Sequence, residues 1–490
     1  MSSIASCIST PRTPLLFLLL IFTFLAAIHC ELQQVIEICR HGAREKIYNV
    51  LGTPMLYPMG EITEAGLRQH FLLGESLRQI YHDNLSFFPS NYESSQVYIR
   101  SSDVNRTIQS ALSQLYGLFP LGTGPNISDS VNNIAVPPIP DLSYNISSLG
   151  TDSLPMNFQP VAIHTINASN DTLLRGFSAS VCPGLHTYYN EAENDSVAQM
   201  LYPLFTKTVE AVETLANRSL QGVIKGIQDI EMIFNDVIGD YLNGIPNPVS
   251  VNSSLFQDIQ ILEDFLVYHI QLGSDQELTI ANSKLFEEIK SRMEKRISNQ
   301  PSPRFLLYSA HDITLAGILR AFNFSSWECL YSYYLQNTTS NSPQCNGIPP
   351  YASSIIFELH NINSEQYVKM IYNGQMLNFC SNQIYNNMYC PYIIFKQTIG
   401  KYIVDDSTYS SLCRRNDTNP FQVKMSSAGG ESTVLTWRVI MVLMLNAALI
   451  IVVTLLILKK KQITDRSKNV LVLNIPKSKR YVFELNDINI

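Results

Sequence analysis

Short apolar stretches that end in polar clusters organise the body of this chain. Residues 34–39 (QVIEIC), 97–99 and 305–308 each read as a strand entering a core. Each is followed by a helical pattern, over 64–81, 106–119 and 313–322. Strands alternating with helices predict an α/β fold, layered, with a mostly parallel sheet flanked by helices. In such sheets ligands bind at the carboxyl ends of the strands, where the three polar clusters fall. From about 120 to 300 the pattern changes. It is rich in Asn and Pro to about Asn194 and then mostly helical to Arg296. That stretch predicts a mainly helical insertion capping the sheet. The polar segment over 402–433 reads as a stalk, with 414–438 joining the body, 31–413, to the C-terminal segment.

Two longer apolar runs lie near the ends. Residues 15–27 are apolar apart from Thr23 and follow Arg12, which predicts a signal peptide over 1–30. Ala27 and Cys30 both remain candidates for the last residue removed. An uncleaved signal anchor is the alternative, and a run this short spans a bilayer poorly. Residues 439–458 hold one strongly polar residue, Asn446, and run into Lys459, Lys460 and Lys461. This predicts a C-terminal transmembrane helix with a cytoplasmic tail over 459–490, hence a single-pass type I membrane protein. A buried core helix would not end in three lysines. A cleaved lipid-anchor signal would end in its apolar tail, whereas 32 residues follow this run.

Twelve Asn-x-Ser/Thr sequons, Asn105 among them, all precede the second run, as a lumenal glycoprotein requires. Net charge is −7, and the basic tail and Arg12 leave the segment between them at about −13. Such a surface does not attract nucleic acid, so an anionic substrate needs a local cluster of positive charge. Seven of nine cysteines, Cys39 to Cys413, follow the expected signal peptide, in a compartment where disulfides form. Seven is odd, and Cys39, inside an apolar strand, is the candidate free thiol.

The first polar cluster is Arg40-His41-Gly42-Ala43-Arg44. Arginine forks match phosphate oxygens. Like charge around the imidazole disfavours its cation, so it stays a neutral nucleophile at lower pH. A basic solvated turn is the plain alternative. The second cluster, YIRSSDVNRT from Tyr98 to Thr107, puts Arg100 at a strand end before a helix capped by Ser102 or Asp103. An ordinary N-cap explains it equally well. The third is Tyr308-Ser309-Ala310-His311-Asp312. A lone His-Asp pair is more often structural, but three such clusters at equivalent strand ends are harder to dismiss.

Together these motifs resemble the histidine acid phosphatases, the prostatic and lysosomal acid phosphatases in particular. The resemblance runs from about Val35 to Cys413. Besides the three clusters it rests on GEITEAG from Gly60, QPVAIH from Gln159 and PPYAS from Pro349. It implies that His41 attacks phosphorus and forms a phosphohistidine. It implies further that Arg40, Arg44, Arg100 and His311 bind the phosphoryl oxygens, and that Asp312 protonates the leaving oxygen. No cofactor or metal is implied: HExxH, paired CxxC and P-loop patterns are missing from the sequence. The disulfides implied are Cys182–Cys413, Cys329–Cys345 and Cys380–Cys390.

Two departures stand out. Lys46 occupies the place of a family proline, which would loosen the loop that orients Arg44 or add a charge facing the substrate. Ala43 replaces an acidic residue, which bears on substrate preference. Asn105 is expected to be unglycosylated, because a glycan inside the arginine motif would crowd the site. The resulting expectation is an acid phosphomonoesterase of the lysosomal or cell-surface membrane, acting on small phosphomonoesters. A phytase-like or lysophospholipid-directed phosphatase is the variant within the enzymes. A catalytically dead receptor and a structural coat glycoprotein are the alternatives outside them. The tail does not match a tyrosine sorting signal, since Glu484 follows Tyr481 at the apolar position. A homodimer is a further implication of the resemblance, with no interface assigned.

Overall fold

A computed structural model describes residues 30–138, 150–335, 345–380 and 389–414. The chain divides into two units, and the second, from Asp417 on, lies outside the described residues. So do the expected signal run, the transmembrane run over 439–458 and the tail. Among the described residues no helix is long and apolar enough to cross a membrane.

Strand β1 (Cys30–Arg40) is followed by α1 (Glu64–Leu77), β2 (Val97–Ser101), α2 (Asn105–Leu118) and the short β3 (Ile163–His164). Five helices come next: α3 (Leu185–Glu193), α4 (Ser196–Ala216), α5 (Ile230–Leu242), α6 (Ser254–Phe265) and α7 (Asp275–Ile297). The chain returns through β4 (Phe305–Ala310), α8 (Asp312–Ala321) and α9 (Trp327–Leu335). It ends in β5 (Ser354–Ile362), β6 (Glu365–Tyr372), β7 (Gln375–Leu377), β8 (Cys390–Pro391), α10 (Tyr392–Gly400) and α11 (Asp406–Cys413).

The strand order is β3-β2-β4-β1-β5-β6-β7, with β8 on β6. Pairs β3/β2, β2/β4 and β4/β1 are parallel, while β1/β5, β5/β6, β6/β7 and β6/β8 are antiparallel. The sheet is therefore mixed, where a mostly parallel one was expected. The cause is local. Asn363 and Ser364, both at positive φ, turn β5 directly into β6, and a connection that short permits only antiparallel pairing.

The three anticipated strands sit side by side at the centre. Val35 to Arg40 of β1 pair with Phe305 to Ala310 of β4, which pairs in turn with Val97 to Ser101 of β2. Their side chains are buried on both faces, which is why they read as apolar runs. The strand over 34–39 extends back to Cys30, a residue expected in the signal region. A π-helical turn, Arg78–Asn84, prolongs α1.

The expected insertion over 120–300 is not a single cap. Ile163–His164 returns to the sheet as its edge strand on β2. Ile280, Leu285 and Phe286 of α7 are fully buried in the core shared with β1 and β4. The cap proper is formed by α3 to α6. The polar segment expected as a stalk begins later than 402, since Asp406–Cys413 is helical, with Tyr409 buried against α7. Disulfides join Cys182–Cys413, Cys329–Cys345 and Cys380–Cys390. Cys39 is free and buried.

Candidate active site

The loop after β1 carries His41 into a cavity of about 170 Å³ at the carboxyl ends of β1 and β4. Gly42 makes the loop's path possible. A Cβ there would lie 2.4 Å from the Gly66 carbonyl oxygen, and one on Gly66 would lie 2.2 Å from that of Ala43. The two glycines let the first turn of α1 press against the loop. The histidine ring is oriented by its own backbone: Nδ1 lies 2.9 Å from the Gly42 carbonyl oxygen. Nδ1 therefore carries the proton, and the lone pair on Nε2 faces the cavity.

Arg106 faces that lone pair, its Nε donating to His41 Nε2 at 3.0 Å. Arg40 donates to the Pro349 carbonyl at 2.5 Å, pairs with Asp312 at 2.7 Å and lies 4.1 Å over the ring of Tyr351. Arg44 donates to the Asn235 side chain of α5. The Nε atoms of Arg40 and Arg44 are buried without partners among the described residues. From the other strand end, His311 Nε2 lies 2.9 Å from the hydroxyl of Ser102, which contacts Thr107 in turn. Asp312 opens α8 and accepts from the Ile313 N–H at 2.9 Å.

This concentration of positive charge sets the protonation states. Burial and then Arg106, Arg40, Arg44 and His311 hold His41 well below the usual histidine value. Burial and Arg106 hold His311 down to about 3. Burial pushes the Asp312 carboxyl up, but Arg40, His311, the Ile313 N–H and Arg44 outweigh it and keep it below the ordinary range. Both imidazoles are thus neutral at acidic pH, and Asp312 is ionised while Arg40 holds it.

Arg40, His41, Arg44, His311 and Asp312 all line this one cavity. Arg100 does not. Its guanidinium pairs with the buried Asp171 at 2.6 Å, away from the cavity. It belongs to β2 itself, whereas the cavity begins beyond the strand's end. Arg106, in the first turn of α2, is the arginine that reaches His41. From the sequence it reads as the start of a helix only. The signal was available, because a first-turn side chain after a parallel strand points to that strand's carboxyl end, as Asp312 does on α8.

Lys46 neither faces the cavity nor leaves the loop loose. It is completely buried, with Nζ 2.9 Å from Asp240 of α5. Ala43 is buried under α1, its N–H donating to Gln69 and its carbonyl accepting from Thr63. Asn105 is exposed and donates to Glu61 at 3.0 Å. Arg175, Tyr351, Glu231 and Glu263 also line the cavity. Tyr351 belongs to the PPYAS motif, though no role was expected of it, and no motif announced the other three, which come from a loop and two cap helices remote in sequence.

Residues 31–373 match the Histidine phosphatase superfamily (branch 2). Human prostatic acid phosphatase is 26% identical over 425 residues, which cover 82% of this chain and 94% of that protein. Human lysosomal acid phosphatase is 26% identical over 355 residues, 70% of each chain. Among solved structures, Hafnia alvei phytase in complex with myo-inositol hexakis sulphate shares the fold with a TM-score of 0.52 at 14% identity. That likeness covers 78% of this chain and 98% of the phytase. The chain belongs to the histidine phosphatase superfamily, branch 2.

Proposed function

We propose that this branch-2 histidine phosphatase is an acid phosphatase that hydrolyses phosphate monoesters through a phosphohistidine on His41. The observation that carries the reading is the His41 ring. Its Nδ1 is tied to the Gly42 carbonyl, and its Nε2 faces a cavity lined by arginines, where it accepts from Arg106 in the absence of phosphate. The prostatic and lysosomal acid phosphatases among its relatives support it.

In this mechanism Arg40, Arg44, Arg106 and His311 hold the phosphoryl oxygens. The first three offer charged forks to an anion whose charge grows towards the transition state. His41 Nε2 attacks phosphorus, and a P–N bond replaces the bond to the alcohol oxygen. That oxygen leaves with the electron pair and takes a proton from Asp312. Water then attacks the phosphohistidine, gives its proton to Asp312 and frees neutral His41 with inorganic phosphate. Asp312 acquires its proton because an arriving phosphate draws Arg40 away and adds negative charge beside the carboxyl.

The site then belongs in the lumen of the secretory pathway, with the lysosome as the destination suggested by the lysosomal relatives. The apolar run over 439–458 supports a membrane anchor. Alkaline carbonate extraction tests it: release of the intact chain into the soluble fraction would remove the anchor. The catalytic reading is tested with the purified protein and its His41→Ala variant on para-nitrophenyl phosphate from pH 3 to 8. Turnover at acidic pH that the variant lacks supports it. A folded wild type without turnover overturns it.

A further inference from the structure

The cavity also carries two acids that phosphoryl transfer does not use. Glu231 lies in the first turn of α5 and Glu263 near the end of α6, and both line the cavity among Phe234, Leu266 and Val267. Glu263 is 6% exposed, and its Oε2 has no hydrogen-bond partner among the described residues. An unpartnered buried carboxyl oxygen is costly, and such a group is retained where a ligand completes it. Burial and then the charges of Glu231, Asp312 and Asp264 push the Glu263 carboxyl well up. The missing partner is therefore a neutral hydrogen-bonding group or a cation that restores the ionised form.

Charge decides between them. The cavity is lined by Arg40, Arg44, Arg106 and Arg175 and by Asp312, Glu231 and Glu263, with both histidines neutral. Glu231 adds to the upward push on Glu263, so the acids hold protons in the empty cavity, and an ammonium placed beside them favours their ionised forms. Size points the same way. About 170 Å³ is comparable to a cavity of about 150 Å³ that takes up one benzene, room for a phosphoryl group and a short alcohol.

We propose that Glu263, assisted by Glu231, is a cation subsite, and that the preferred substrates are short amino-alcohol phosphates with the ammonium on Glu263 and the phosphoryl group on the arginines. The substrate assignment rests on the phosphatase reading; the subsite does not, because it is read by binding alone. The apolar side chains of the lining accommodate the methylene linker. The same acids repel a ring bearing several phosphates.

The test compares 2-aminoethylphosphonate with its neutral isostere propylphosphonate by calorimetric titration of the whole protein at pH 6. Neither compound can be hydrolysed. The expected result is at least ~10-fold tighter binding of the amino compound, as a desolvated charge pair gives. Glu263→Gln should collapse that preference to within ~2-fold and bind propylphosphonate about as tightly as wild type does, since the amide stands in for the protonated carboxyl. Equal affinities in the wild type, or a preference that survives both Glu263→Gln and Glu231→Gln, would overturn the subsite. Hydrolysis of para-nitrophenyl phosphate by the same preparation separates the two ideas. Turnover without amine preference sinks the subsite alone. Amine preference without turnover leaves the subsite standing and sinks the catalytic reading.

Discussion

Arg106 donates from Nε to Nε2 of His41 across 3.0 Å, at the ring nitrogen left free by the bond from Nδ1 to the Gly42 carbonyl. An incoming phosphoryl group must take the place of this contact, so the guanidinium is already aimed where the transferred oxygens will sit. Arg106→Ala should lower kcat/KM on para-nitrophenyl phosphate by about 10²–10³-fold, the range for a lost donor to developing charge. Its melting temperature should stay near that of the wild type.

Arg100→Ala should do the opposite. Its partner Asp171 is fully buried, and stranding a buried charge costs about 3–5 kcal/mol. The denaturation midpoint should fall while the folded fraction keeps most of its turnover. Turnover abolished at an unchanged midpoint would return Arg100 to the catalytic set.

The contrast between these two arginines shows what the sequence made legible. The central strands, the helices after them and the polar clusters at their ends could be read, because periodicity and motif order are local properties. Arg40, His41, Arg44, His311 and Asp312 were identified for that reason. Five residues separate Arg100 from Arg106, and only three-dimensional placement decides which one faces His41. Pairing of Arg100 with Asp171, 71 positions away, has no trace in the local pattern. The same holds for Glu231 and Glu263, which cap helices bring to the cavity, and for β3, whose two residues return to the sheet edge after a long excursion.

Asp312 is held below the ordinary carboxylate range in the ligand-free protein despite burial, with Arg40 the foremost opposing charge. Its proton matters most where the departing alkoxide is poor. Asp312→Asn should therefore slow hydrolysis of an alkyl phosphate by about 10²–10⁴-fold, as loss of a general acid does. The effect on para-nitrophenyl phosphate, whose leaving group needs no proton, should be much smaller. Equal losses on both substrates would assign the carboxyl a role in binding instead.

Stability should peak on the acid side of neutrality. Burial raises Glu37, Asp264 and Glu277 to about 7 each. These carboxyls bind protons more tightly in the fold than in the unfolded chain. Their contribution is complete below the ordinary carboxylate values near 4 and is lost as pH rises through 7. Burial holds His70 down to about 4 and His311 down to about 3. The unfolded chain takes up those protons first, so their effect is a loss of stability as pH falls from 6.5 through 4 and 3. The two sets oppose each other between about 4.5 and 6.5, at about 1.4 kcal/mol per proton per pH unit. Three carboxyls against two histidines leave a net decline with rising pH, so the melting temperature should be highest near pH 4.5 and lower at both pH 3 and pH 8. A protein more stable at pH 8 than at pH 5.5 would contradict the assignment of these buried groups.

Lys46 stands where the family pattern has a proline, and the structure makes it part of the frame that holds Arg44. Its Nζ pairs with Asp240 at 2.9 Å and donates to the carbonyl of Thr53 at 3.2 Å, while its N–H donates to Glu45 at 3.0 Å. Asp240 accepts from Asn247 at 2.8 Å as well. The carboxylate is completely buried and belongs to α5, the helix that supplies Asn235 to Arg44. Restoring the proline would remove both the ammonium and the N–H and leave Asp240 charged in the interior. Lys46→Pro should therefore destabilise the protein by about 3–5 kcal/mol and raise KM as the Arg44 loop loosens. Lys46→Met combined with Asp240→Leu removes both charges together and should recover most of the stability, because a buried ion pair replaced by apolar groups of similar volume is often neutral or better. Denaturant titration of wild type, both single variants and the double variant decides the point. A single variant as stable as wild type would show that the pair contributes nothing to joining the catalytic loop to the cap.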